Sequence, residues 1–169
     1  MDATVNRALA LILKILVVAA LLAAIFDLPL PDGTQPRSRT YLLDLSPSVL
    51  LPRGENSLSP EDGWKIIRSD ATQFDTITVI GFSKSQKILF QGSPKDLPQT
   101  RPPFRPEPES NLGEALESIL IHPSEEVLLL SDARSTENST RLEKALLILQ
   151  ERKIQVHTLP LGPRSPRDI

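Results

Sequence analysis

An aspartate and two serines follow a short apolar segment at alternate positions. Asp44, Ser46 and Ser48 lie in the stretch YLLDLSPSV, at the end of the apolar run that covers residues 39–45. In a turn that leaves a β-strand, alternate residues can point the same way. One carboxylate and two hydroxyls can therefore converge on a single point.

Two further oxygen-bearing side chains follow at comparable places along the chain. Asp132 comes just after the apolar segment 126–130, and Ser110 lies immediately before a helical pattern that starts at Asn111. Three hydroxyls and two carboxylates are hard oxygen ligands, which suit Mg²⁺, or Mn²⁺ or Ca²⁺, in a roughly octahedral shell. Such a shell leaves one position for water or for an acidic ligand.

The same residues also have simpler interpretations. Asp44 and Asp132 could end turns without a metal, and Ser46 could satisfy backbone groups. Without a metal, and with no basic side chain expected beside them, the two carboxylates should repel each other. The alternative to a metal-dependent binding module is therefore a metal-free scaffold, a structural component of a membrane complex.

Alternating strands and helices are needed to bring these residues together. Short apolar or β-branched segments predict β-strands, and a helical spacing of apolar residues predicts helices. The predicted strands are 39–45, 75–82, 86–90, 126–130 and 154–161, and the predicted helices start at 60, 111 and 139. Ser59 and Pro60 followed by two acids are typical of a helix start.

The order of these elements predicts the fold class. It indicates an α/β domain with a doubly wound, mostly parallel sheet, one antiparallel edge strand at 86–90, and helices on both faces. In such sheets a ligand lies beyond the carboxyl ends of the strands, where the five candidate residues are predicted. Residues 91–110 contain six prolines and are predicted to form a long loop without helix or strand.

Three motifs resemble those of one known family. YLLDLSPSV resembles the opening strand and the D-x-S-x-S motif of the von Willebrand factor type A (vWA) domain. SNLGEAL is similar to its T-N-L-G-x-A-L segment, and VLLLSDARST to the later strand that ends in T/S-D-G. The resemblance covers about residues 39–162, and the apolar segment before the first strand resembles the bacterial membrane-anchored members.

The resemblance implies a metal-ion-dependent adhesion site. Its metal ligands would be Asp44, Ser46, Ser48, Ser110 and Asp132, with Mg²⁺, Mn²⁺ or Ca²⁺ as the cofactor. The hydroxyls would bind the metal directly or through water, and the aspartates mainly through water. A protein partner would then offer a carboxylate to the metal, and the vWA-like domain would cover residues 37–169.

Three features depart from the family pattern. Ser110 stands where a threonine is usual, and Ala133 where a glycine commonly follows the last aspartate. The chain also ends soon after the last predicted strand, where the family usually adds a helix and often a sixth strand. The domain therefore resembles a shortened version of the family.

An apolar segment near the amino terminus predicts a membrane anchor. Residues 8–26 are apolar except for Lys14, and the segment extended to residue 30 has the length of a membrane-spanning helix. A cleaved signal peptide is the alternative, but the apolar run is longer than is typical of one. Arg7 lies directly before the span and Lys14 lies near its amino end, whereas acidic residues follow it. We therefore expect residues 1–36 to be a single-pass anchor and linker, with the domain outside the cytoplasm.

Composition excludes several other functions. The chain of 169 residues has 19 Lys and Arg against 21 Asp and Glu, so a nucleic-acid binder is not expected. It has no cysteine and only two histidines, which excludes thiolate zinc sites and three-histidine centres. No phosphate-binding glycine loop or nucleophile elbow is present, and Ser46 has no plausible histidine base. We therefore expect no enzymatic activity.

Overall fold

The computed structural model describes residues 14, 36–50, 57–122, 124–132, 134 and 139–162. The chain divides into two units, Met1–Gln35 and Pro36–Ile169. In the first unit only Lys14 is described, with a helical backbone and an exposed side chain. The predicted span 8–30 otherwise lies outside the described residues. Within the described part of the chain, no helix is both long and apolar enough to cross a membrane.

The described residues of the second unit contain a five-stranded sheet in the spatial order β3-β2-β1-β4-β5. The strands are β1 (Ser38–Asp44), β2 (Thr76–Phe82), β3 (Gln86–Gly92), β4 (Glu126–Ser131) and β5 (Gln155–Pro160). The central strand β1 is parallel to β2 and β4, and β5 is parallel to β4. Strand β3 is antiparallel to β2. The predicted mostly parallel sheet with one antiparallel edge strand is confirmed.

Four α-helices connect the strands within the described residues. They are α1 (Pro47–Leu50), α2 (Pro60–Asp70), α3 (Leu112–Ile119) and α4 (Ser139–Glu151). The predicted start of α2 is confirmed, because the Ser59 hydroxyl accepts a hydrogen bond from the Asp62 backbone and the Asp62 carboxylate accepts one from the Ser59 backbone. The one-turn helix α1 was not predicted, since four residues are too few to show a helical period.

The central strand is buried by helices on both faces of the sheet. Tyr41 and Leu43 pack in one apolar cluster with Trp64 of α2. Leu42 faces the other way, into a second cluster with residues of α3 and α4. Because the faces alternate along a strand, burial of both faces encloses β1 from Thr40 to Asp44. Its last residue is consequently a buried aspartate.

The proline-rich segment 91–110 contains more regular structure than was predicted. Strand β3 continues to Gly92, and Pro94–Asp96 forms a 3₁₀ helix. The prediction that no element forms in this segment was therefore wrong at its beginning. Gln91 and Gly92 precede the first proline and can still pair with β2, and proline at the start of a short helix needs no N–H donor. Farther along, the Trp64 indole donates a 3.1 Å hydrogen bond to the Pro98 carbonyl, which attaches the segment to α2.

Candidate functional site

The carboxyl ends of β1 and β4 bring an aspartate and a serine together. Asp44 is fully buried at the end of β1, and its Oδ1 accepts a 2.9 Å hydrogen bond from the Ser46 backbone. Its Oδ2 accepts a 2.6 Å hydrogen bond from the Ser131 hydroxyl. Leu43 pairs with Leu130 in the sheet, and this register places the last residues of the two strands side by side. Both oxygens of this buried carboxylate therefore have a donor.

The turn after β1 brings two hydroxyls into contact. Ser46 and Ser48 lie on either side of Pro47, where α1 begins, and their Oγ atoms are 3.0 Å apart. Ser46 is buried and Ser48 is partly buried. Ser46 therefore contacts both Asp44, through its backbone N–H, and Ser48, through its hydroxyl.

The second aspartate lies one residue beyond β4. The side chain of Asp132 is 6% exposed, and its Oδ1 accepts a 3.0 Å hydrogen bond from the Arg134 backbone. Its Oδ2 is buried and accepts no hydrogen bond from any residue that the structure describes. The Nε of Arg134 lies 4.0 Å from that oxygen.

Ser110 reaches the same edge of the sheet by a different route. The Asn111 backbone donates a 2.9 Å hydrogen bond to the carbonyl of Ser83, which directly follows β2. The Leu45 backbone donates one of 2.8 Å to Phe82 at the end of that strand. The chain at Ser110 is therefore held beside the turn after β1, and the Ser110 side chain is buried there.

Comparisons with known proteins point to one kind of domain. No protein-family model matches the chain, and no curated protein matches its sequence. Among solved structures, manganese-loaded TRAP of Plasmodium vivax is similar over 79% of this chain and 60% of its own, with a TM-score of 0.58 and 12% identity. BatB of Bacteroides thetaiotaomicron is similar over 73% of this chain and 66% of its own, with a TM-score of 0.52 and 15% identity. The SpRpn10 VWA domain is similar over 79% of both chains, with a TM-score of 0.53 and 10% identity.

The described domain has a vWA-like fold, and we refer to it as the vWA-like domain. At 10–15% identity these similarities concern the fold, and they agree with the strand order and with the motifs at the strand ends. The chain spans less than two thirds of the TRAP and BatB structures that it matches. Ala133, the predicted departure from the family glycine, lies outside the described residues.

Two carboxylates, those of Asp44 and Asp132, lie close enough at this edge to influence each other. Burial raises the pKa of Asp44, the hydrogen bonds from Ser131 and Ser46 oppose that rise, and the negative charge of Asp132 adds to it. The charge of Asp132 therefore acts on Asp44 in the direction that the predicted repulsion requires. The expectation that no basic side chain lies beside them was wrong, because the Arg134 backbone donates a hydrogen bond to Oδ1 of Asp132 and the Arg134 Nε lies 4.0 Å from Oδ2.

The donor set determines which ligand this edge can hold. Among the described residues, no group of three His, Asp or Glu side chains gathers into a metal site. A cation here would therefore depend on hydroxyls together with the two aspartates. The adjacent hydroxyls of Ser46 and Ser48 and the buried Oδ2 of Asp132 fit a hard divalent ion such as Mg²⁺.

The residue that sequence reasoning missed is Ser131. The sequence analysis assigns it no role, yet its hydrogen bond to Asp44, at 2.6 Å, is shorter than the one from the Ser46 backbone, at 2.9 Å. Its position directly before Asp132 was the available signal. Its partner could be assigned only from the register between β1 and β4, which the sequence does not contain.

Proposed function

We propose that the vWA-like domain is a protein-interaction module that works through a bound divalent cation. Asp44, Ser46, Ser48, Ser110 and Asp132 would hold Mg²⁺, or Mn²⁺ or Ca²⁺, and the cation would bind a carboxylate of a protein partner. The observation that carries the proposal is the pair of hydroxyls 3.0 Å apart beside two buried aspartates, one of which has a buried oxygen without a hydrogen-bond donor among the described residues.

The chemistry of these ligands favours an acidic partner. When bound, the cation supplies a positive charge that attracts anionic oxygen. Hydroxyl ligands are neutral and leave that charge largely intact, whereas a shell of several carboxylates would cancel it. The manganese-loaded state of TRAP, which has a similar fold, supports a divalent cation as the ligand of this domain.

We propose binding rather than catalysis at this edge. The Ser46 hydroxyl is within hydrogen-bond distance of another hydroxyl, that of Ser48, whereas a nucleophilic serine needs a general base beside it. Asp44 has both of its oxygens occupied by donors, which suits a role in holding the turn.

A membrane tether is part of the proposal. The apolar run 8–30 would cross the bilayer once, with Arg7 and Lys14 on the cytoplasmic side and the vWA-like domain outside the cytoplasm. This arrangement would present the cation to acidic groups on other proteins at the cell membrane.

A metal-free scaffold is the second candidate function. It is favoured by the hydrogen bonds that satisfy Asp44 internally and by the ion pair between Asp132 and Arg134, which together reduce the need for a cation. In that case partners would bind to the sheet edge or to helix faces.

The experiment is a titration of the full chain in detergent with Mg²⁺ and Mn²⁺, followed by calorimetry and by thermal unfolding. We expect saturable binding and an unfolding midpoint that rises with cation concentration. Ser46→Ala and Ser110→Ala should weaken both responses strongly. Ser118→Ala is the matched control, because it removes a buried hydroxyl that bonds a carbonyl inside α3. Unchanged melting of the parent chain in millimolar cation would favour the scaffold.

The partner is tested by repeating one capture under two conditions. Proteins retained from membranes by the full chain in Mg²⁺ should be lost in EDTA and return when the cation is restored. Asp44→Ala should retain none of them. Equal capture in EDTA, together with normal capture by Asp44→Ala, would overturn the cation-bridged mechanism while leaving the fold intact.

A further inference from the structure

One basic side chain lies at the oxygen that the cation would need. Arg134 follows Asp132 by two residues, its backbone N–H bonds Oδ1 of Asp132, and its Nε lies 4.0 Å from Oδ2. The Arg134 side chain is 64% exposed, so it is free to move away from the aspartate. The aspartate is almost fully buried and has no such freedom.

The four carboxylate oxygens at this edge are not equivalent. Both oxygens of Asp44 and the Oδ1 of Asp132 accept hydrogen bonds of 2.6–3.0 Å. Oδ2 of Asp132 differs from these three, because it accepts no hydrogen bond from the described residues. The Arg134 Nε lies 4.0 Å away from it, which is too far for a hydrogen bond. A divalent cation, or a water molecule bound to it, would bind this oxygen in preference to the other three.

We propose that Arg134 is an intramolecular competitor for the cation, so that its charge sets the affinity of the site for metal. This inference rests on the proposed function. In the cation-free domain the guanidinium offsets the negative charge of Asp132. Two positive charges cannot share one carboxylate oxygen without repulsion, so entry of the metal must displace the guanidinium toward solvent.

The displaced side chain also gains a role. A guanidinium presents a planar fork of donors that matches a carboxylate. Once displaced, Arg134 would be available to a partner's carboxylate that binds the metal. The same residue therefore weakens the binding of metal alone and strengthens the binding of an acidic group to the metal-loaded domain.

The test measures Mn²⁺ affinity of the full chain in detergent at low ionic strength. Arg134→Ala should bind Mn²⁺ about three- to tenfold more tightly than the parent, and Arg134→Lys should stay close to the parent because it keeps the charge. Arg152→Ala is the control, since it makes the same change of net charge at the end of α4, where the arginine bonds the Leu120 carbonyl. The difference between Arg134→Ala and the parent should shrink in high salt.

A second measurement uses the cation-free protein. In EDTA, Arg134→Ala should unfold at a lower temperature than the parent, because the repulsion between the aspartates is no longer offset, whereas Arg152→Ala should not. Tighter Mn²⁺ binding by Arg134→Ala supports the inference, even if the parent binds too weakly to measure. Equal affinities in a parent that binds Mn²⁺ overturn the inference and leave the proposed function standing. No binding by the parent or by any variant overturns both.

Discussion

Ser131 at the end of β4 donates its hydroxyl hydrogen to Oδ2 of Asp44 at the end of β1, over 2.6 Å. The bond joins neighbouring parallel strands at the edge where the candidate site lies. Hydrogen bonds to a buried charged group contribute more than neutral ones, and removal of the donor leaves part of the charge without a partner.

Ser131→Ala should therefore destabilise the domain in EDTA by about 1.5–3 kcal/mol. Ser118→Ala should cost less, because its hydroxyl bonds a neutral carbonyl within a helix. Urea unfolding of both variants measures the difference. Equal losses of stability would mean that the Asp44 carboxylate gains nothing particular from Ser131.

Asp44 itself should destabilise the cation-free domain at neutral pH. Burial raises its pKa, and the charge of Asp132 raises it further, so the folded protein binds a proton at a pH where the unfolded chain does not. The contribution of this group to stability therefore increases as the pH falls through the folded pKa, and it is complete below about pH 4.

Asp44→Asn should consequently melt at a higher temperature than the parent in EDTA at pH 7, and it should not respond to Mg²⁺. The amide can still accept from the Ser46 backbone, and the Ser131 hydroxyl can turn to accept from the new NH₂ group. Asp96→Asn, an exposed substitution on the 3₁₀ helix, is the control. A lower midpoint for Asp44→Asn would show that the carboxylate stabilises the turn more than its burial costs.

The elements of this fold could be predicted because each leaves a local signal. The strand β1 carries the consecutive apolar residues Tyr41, Leu42 and Leu43 and is buried from Thr40 to Asp44. Helix α2 begins with a capping serine, a proline and two acids. The three motifs at the strand ends also predicted which side chains would gather. These signals extend over only a few residues, so a single sequence is enough to read them.

The parts that could not be predicted depend on pairing or on single turns. The contact of Ser131 with Asp44 follows from strand register, which no local pattern encodes. The position of Arg134 beside Asp132 depends on a single hydrogen bond from the Arg134 backbone to the Asp132 carboxylate. The last two residues of β3, Gln91 and Gly92, were not predicted as strand because prolines are frequent in the segment that follows. The first of those prolines is Pro94, so Gln91 and Gly92 still pair with β2.

At the opposite edge of the sheet, a buried arginine should matter more to stability than any exposed one. Arg39 has a 13% exposed side chain, pairs with Asp70 and Glu126, and stacks over Phe74 at 4.3 Å. Arg39→Ala leaves Asp70 and Glu126 without their cation. Because solvent still reaches both acids, which are 25% and 26% exposed, the cost should be about 1.5–3 kcal/mol.

The comparison for Arg39 is Arg141→Ala. Arg141 is 42% exposed and pairs with Glu114 and Glu117 between two helices, so its loss should cost less than about 1 kcal/mol. Chemical unfolding of the two variants under one set of conditions measures both values. A similar cost for the two would mean that burial adds nothing to the Arg39 pairs.

The start of α2 should contribute stability that depends on acidic pH. Lys65 and the Ser59 cap lower the pKa of Asp62 to about 2. The folded pKa lies below the unfolded one, so the contribution is complete above about pH 4 and is lost as the pH falls toward 2. Because the carboxylate is largely exposed, salt should reduce the effect.

Asp62→Asn should accordingly have a lower free energy of unfolding than the parent at pH 5, and the two values should converge as the pH falls to 2. Ser59→Ala should cost about 1 kcal/mol at neutral pH through loss of the cap. Urea unfolding between pH 2 and pH 5 in low salt provides both values. A constant difference between Asp62→Asn and the parent across that range would contradict the assigned ionisation.

The anchor prediction concerns residues 8–30, of which the structure describes only Lys14. If this run spans the bilayer, the chain should remain in the membrane pellet after carbonate washing and should keep its amino-terminal residues. Replacement of two central residues of the run, Leu21 and Leu22, by arginine should release it, because charged residues near the bilayer centre cost several kcal/mol together. The same double change at the exposed helix positions Leu146 and Leu147 is the control and should leave the chain in the pellet.

The orientation of the anchor is tested separately. Protease added outside sealed spheroplasts should digest the vWA-like domain. A mature chain that begins after Ala24 would identify a cleaved signal peptide instead, and protection from external protease would place the domain in the cytoplasm.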